Sequence, residues 1–170
     1  MVGSVLADDE PRTTGAPMFD EILGLPVHPL VVHAAVVLTP LLAVLAAAYA
    51  LLPRTRPVLT WAVVGLAPIV PVSVFVARGS GNSLKESRFA SAGGQLGERI
   101  AEHAGFSTPL LLVALALGVM SLALVYVSRG DRFGRPAGLA VSALTVVLAA
   151  VALYYVVRAG HSGAVAVWAN

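Results

Sequence analysis

Four stretches of this chain carry no Asp, Glu, Lys or Arg at all: residues 29–52, 58–77, 106–128 and 136–157. Each is about 20 residues long or slightly longer, the length a helix needs to cross a hydrocarbon core about 30 Å thick. An isolated strand in lipid leaves its backbone unpaired, so each stretch reads as a helix. With 58% hydrophobic and only 12% charged residues, the chain lacks the polar surface that a soluble domain of 170 residues requires. That excludes a soluble enzyme, a disordered chain and a nucleic-acid binder. The pattern predicts an all-α integral membrane four-helix bundle. Residues 1–28 then form a polar N-terminal tail, 29–158 the transmembrane domain and 159–170 a short C-terminal segment on the outer face.

The charges set the expected orientation. Arg54 and Arg56 occupy one short connection, and Arg129, Arg132 and Arg135 another, so the basic residues are densest there. Short basic loops stay in the cytoplasm. The bundle is therefore expected to run up-down-up-down in the cell (inner) membrane, with both termini outside. The acidic tail, with Asp8, Asp9, Glu10, Asp20 and Glu21, fits that side and shows no basic region of the kind that opens a signal peptide.

Local signals mark the elements. Pro29 opens the first helix, where its missing N–H costs nothing. Pro40, Pro68 and Pro71 lie inside spans and predict kinks. Ser107 or Thr108 is the expected cap of the third helix, and Ala114 with Gly118 forms a small-xxx-small face for close packing. Gly160 is the expected stop of the fourth. Trp61, Trp168, Tyr49, Tyr126, Tyr154 and Tyr155 fall near span ends, as interfacial aromatics do. In the 78–105 loop, Ser83 to Glu86 reads as a capping box opening one short interfacial helix. Residues 95–103 read as a second, with His103 turned toward the bundle. No internal repeat is visible in the sequence.

No charged residue lies in any span, which disfavours a pump or an ion-coupled transporter. Ser73, Ser121, Ser142, Thr39 and Thr145 are expected to make hydrogen bonds between helices. The chain has no cysteine, which excludes disulfides and thiolate metal sites. Chemistry therefore falls to the four histidines, His28, His33, His103 and His161, all expected at the outer rim. Neutral imidazole offers a lone pair to copper, zinc or haem iron. His33 sits within the first span, where an ionisable side chain calls for a function. His28 and His33 are five apart, which sets them on different sides of a regular helix. The plain reading makes all four structural, with His28 capping the first helix and His161 solvated in a Gly-rich tail.

The run Gly24-Leu25-Pro26-Val27-His28-Pro29-Leu30-Val31-Val32-His33 resembles the opening of a family of small bacterial membrane proteins, the domain of unknown function 2231 (DUF2231). Its members commonly start their first helix with His-Pro-x-x-x-His. Glu102-His103-Ala104-Gly105 is similar to a Glu-His element before that family's third helix, and Gly160-His161-Ser162-Gly163-Ala164 to its closing Gly-His-x-Gly motif. Relatives usually follow the second histidine with Phe-Pro, where this chain has Ala34-Ala35 and a proline only at Pro40. The resemblance implies a four-helix transmembrane domain. Because some relatives are joined to Rieske-type iron–sulfur domains, it also hints at membrane redox chemistry.

Three functions follow from this reading. The first is a b-type haem for membrane electron transfer, with His33 and either His103 or His161 as axial ligands. The second is a copper or zinc site built from His28, His33, His103 and His161. The third is a non-catalytic assembly subunit with structural histidines. The partners these imply are the lipid bilayer, a redox or respiratory membrane protein, and a second copy of the chain.

Overall fold

A computed structural model of the chain describes residues 21–22, 25–129 and 134–168. The acidic residues Asp8, Asp9, Glu10 and Asp20, and Arg132 of the second basic connection, lie outside the described residues. Glu21–Ile22 (β1) pairs antiparallel with Leu25–Pro26 (β2). Five α-helices follow: α1 (Val27–Leu51), α2 (Arg56–Arg88), α3 (Gly94–Gly105), α4 (Ser107–Ser128) and α5 (Gly134–Trp168). Four helical stretches are long and apolar enough to cross a membrane, α3 and α4 together forming one of them.

The charge-free windows locate the helices but understate two of them. Helix α2 runs eleven positions past Ala77, so Ser83 to Glu86 lies inside it and opens no helix of its own. In the same way α5 continues past Arg158 and through Gly160. The charged Arg78 and Arg158 mark where apolar surface ends; backbone hydrogen bonding carries each helix further. The second short helix is present as α3. Only Phe106 separates it from α4, and Phe106, rather than Ser107 or Thr108, stands at the cap, with no side-chain capping bond. Ser107 instead donates back to the Ala104 carbonyl at 2.7 Å.

The helices pack as a ring. α1 lies against α2 and α5, and α4 lies against the same two, while α1 and α4 barely touch across the middle. Between apolar helices in lipid, association rests on close van der Waals packing, and small residues permit it. The expected face on α4 does this: a methyl group on Gly118 would stand 2.5 Å from the Ala67 carbonyl oxygen of α2. Leu42, Ala43, Ala46, Val70, Ala114, Leu117 and Ala152 fill the centre. Trp61 and Trp168 are 77% and 82% exposed, but Tyr49 is only 2% exposed. Tyr49 is thus a core residue and not an interfacial one, and Arg56 both stacks on its ring and donates to its carbonyl at 3.1 Å.

The small hydroxyls also differ from expectation. Ser73 donates to Val70 and Thr145 to Val141, each within its own helix. A helix carbonyl one turn back is the nearest acceptor for a short side chain. Thr39 and Ser121 are buried with no hydrogen-bond partner.

The chain also contains a repeat. The buried positions of α1 are Ala35, Thr39, Leu42, Ala43, Ala46, Tyr49 and Ala50, and those of α4 are Leu110, Ala114, Leu117, Gly118, Ser121, Leu124 and Val125. One constant offset maps the first set onto the second, and the same offset carries His28 to His103. A second, slightly longer offset maps Val63, Ala67, Val70, Val74 and Ser80 of α2 onto Thr145, Ala149, Ala152, Val156 and Ser162 of α5. The α1–α2 unit thus recurs as α3/α4–α5, with a longer connection in the second unit. With the ring of contacts, this gives the bundle approximate two-fold symmetry.

Candidate functional site

Each half of the repeat places one histidine in the same way. His28 is in the first turn of α1, and its Nδ1 lies 3.0 Å from the Ala77 carbonyl oxygen and 3.2 Å from Ser80 Oγ on α2. His103 is near the end of α3, and its Nδ1 lies 3.0 Å from the Ala159 carbonyl oxygen and 3.1 Å from Ser162 Oγ on α5. Each serine donates to the same carbonyl as its histidine, Ser80 to Ala77 at 3.0 Å and Ser162 to Ala159 at 3.1 Å. The receiving segments share a pattern: Ala77-Arg78-Gly79-Ser80-Gly81 and Ala159-Gly160-His161-Ser162-Gly163.

The glycine that closes each pattern is required by close approach. A methyl group on Gly81 would meet His28 Cε1 at 2.9 Å, and one on Gly163 would meet His103 Cε1 at 3.0 Å. Each ring therefore rests directly on the backbone of its neighbouring helix. A side chain at either position would make the imidazole shift away from the helix.

This arrangement fixes the tautomer of both rings. A carbonyl oxygen can only accept, so Nδ1 carries the hydrogen on His28 and on His103. In the neutral rings Nε2 then keeps its lone pair. A backbone carbonyl behind one imidazole nitrogen is the usual outer support of a metal-ligating histidine, because it fixes ring orientation and raises the basicity of the other nitrogen. The two half-buried rings stand together, their centroids 6.3 Å apart and their planes at 75°.

The structure brings the rings of His28 and His103 together and places His33 and His161 at exposed positions. His33 is exposed, and its Nδ1 donates to the Pro29 carbonyl of its own helix. It lies around the helix from His28, as their spacing requires. His161 is exposed on α5, although it sits between two residues of the receiving segment. Neither haem pair expected from the sequence, His33 with His103 or with His161, forms a ring contact like that of His28 with His103 among the described residues. Nor does the four-histidine site form: among the described residues no three His, Cys, Asp or Glu side chains form a group that could hold a metal ion. The pair that does form includes His28, which the sequence reading placed in the four-histidine metal site, or at the cap of the first helix, but not among the haem ligands. The signal that would have found it is the doubled Ala-x-x-Ser-Gly pattern, together with the matching order of apolar positions.

Two arginines, one glutamate and a phenylalanine surround the pair. Arg158 is 3.9 Å from Glu102, the residue before His103, and its guanidinium lies 5.2 Å from the Phe106 ring centre. Arg78, in the receiving segment on α2, donates to Thr108 at 3.3 Å. A depression between the end of α2 and the start of α3 is lined by Lys85, Phe89, Gly93, Gly97 and Ala101 and contains no histidine. No known protein family, curated protein or solved structure matches the chain.

Proposed function

We propose that this is a multi-pass membrane protein that holds one transition-metal centre between His28 and His103. The observation that carries the reading is the pair itself. Both rings have Nδ1–H satisfied by a carbonyl, both keep a lone pair on Nε2, and their centres are 6.3 Å apart. An ion about 2 Å from each ligating nitrogen, with each nitrogen about 1 Å from its ring centre, separates two centroids by about 6 Å. The repeat supports the same reading, since its two-fold relation presents equal ligands from both sides.

The bundle runs up-down-up-down, with Arg54, Arg56, Arg129 and Arg135 in the cytoplasm and the histidine pair at the outer rim of the inner membrane. The motif resemblance to the DUF2231 family supports a four-helix transmembrane domain and a role beside a redox partner. A b-type haem with His28 and His103 as axial ligands is the second reading. The spacing of the rings favours it as much as it favours a bare ion.

The test is an absorption spectrum and elemental analysis of the purified full-length protein, before and after loading with haem, copper or zinc. About one centre per chain is expected, lost in His28→Ala and in His103→Ala and kept in His33→Ala and His161→Ala. A folded protein that takes up none of the three would overturn the proposal and leave a structural scaffold whose histidines only fasten helices together.

A further inference from the structure

We infer that the centre is a single cuprous ion held by two ligands, His28 Nε2 and His103 Nε2, on the approximate two-fold axis of the bundle. The inference rests on the proposed metal site and narrows it. Four observations point the same way.

The first is ligand number. The described residues offer this position two imidazoles and no group of three ligating side chains. Zinc sites take three or four protein ligands, and so few donors leave Zn²⁺ weakly held. A closed-shell monovalent copper ion is content with two nitrogen ligands in line.

The second is symmetry. The repeat gives each histidine the same carbonyl, the same serine and the same glycine. An ion with two equivalent ligands matches that environment, and rotation about the nitrogen–metal–nitrogen line is free, so the 75° between ring planes imposes nothing.

The third is rigidity. A methyl group on Gly81 would stand 2.9 Å from His28 Cε1, and one on Gly163 would stand 3.0 Å from His103 Cε1, so each ring is seated against the backbone of α2 or α5 and held in its orientation.

The fourth is charge. Arg78 and Arg158 are each next in sequence to a receiving alanine, Arg158 is paired with the exposed Glu102, and the neutral imidazoles themselves bring no negative charge. Desolvation cost rises with the square of the charge, so a divalent ion costs about four times as much as a monovalent one here.

The experiment uses the full-length protein in detergent, under anaerobic reducing conditions, with the cuprous ion titrated against the chromophoric chelator bicinchoninate. About one Cu(I) per chain is expected, with X-ray absorption showing a two-coordinate site of imidazole nitrogens. His28→Ala and His103→Ala should each weaken binding by about a hundredfold or more, while His33→Ala and His161→Ala leave it unchanged. Circular dichroism of each variant separates lost ligation from lost fold, and the titration of the unaltered protein decides the matter whatever the variants do. Zinc or haem bound through the same pair, without cuprous ion, overturns this inference and leaves the metal centre standing. No binding of any of the three overturns both.

Discussion

The α1–α2 half and the α3/α4–α5 half reach the same geometry from different sequences. In the first, His28 is part of one unbroken helix whose first turn contains Pro29. In the second, His103 lies on α3, and Phe106 interrupts the path into α4. The buried positions nevertheless fall in the same order, and each histidine meets an Ala carbonyl, a Ser hydroxyl and a Gly backbone on the following helix. What the halves share is therefore the arrangement that fastens the imidazole. The residues at which they differ are a guide to what that arrangement does not need. His33 of α1 corresponds to Thr108 of α4, and His161 of α5 corresponds to Gly79 of α2. Neither of those histidines is repeated, and both are exposed.

The largest effect should come from breaking both halves at once. His28→Ala combined with His103→Ala removes every ligand of the proposed centre, and metal analysis should find the protein empty. Metal retained by that variant would separate the repeat from any ligand role.

Next are the close backbone contacts. Gly118→Ala puts a methyl group against the Ala67 carbonyl, and overpacking of this kind costs about 1–3 kcal/mol, read as a lower melting temperature in detergent. Gly81→Ala and Gly163→Ala should each displace one imidazole and destabilise by a similar amount. Their near-equality sharpens the comparison. If one is harmless and the other severe, the halves are not equivalent.

Smaller effects are expected from the hydroxyls. Ser80→Ala and Ser162→Ala each remove the hydroxyl that donates to the alanine carbonyl and lies against the histidine Nδ1, about 1 kcal/mol in thermal or denaturant unfolding, with the histidine–carbonyl bond retained. Smallest of all are His33→Ala and His161→Ala, which should change stability by less than about 0.5 kcal/mol, as exposed substitutions do. A large effect of either would show that an exposed histidine matters through something outside the chain.

The four long apolar helices were legible because charged side chains are rare in a span, so the charge-free stretches stand out. Helix ends were not legible, since Arg78 and Arg158 mark the end of apolar surface while α2 and α5 continue in the presence of charge. Tyr49 was misplaced for a related reason. Sequence position near a span end does not say which way a ring turns, and this one turns inward beneath Arg56. The repeat stayed hidden because packing needs only apolar bulk at each position. Leu42 and Leu117 are identical, but Tyr49 corresponds to Leu124 and Thr39 to Ala114. The histidines stood out as candidate ligands because the chain has no cysteine and the spans no charged residue. Their pairing depended on contacts between distant segments, which periodicity along a single helix does not reveal.

The most direct test is the metal content of the two single variants measured beside the unaltered protein. One centre shared between the halves predicts that His28→Ala and His103→Ala are each empty while the parent carries about one ion per chain. A variant that keeps its metal after losing either histidine would contradict a shared centre.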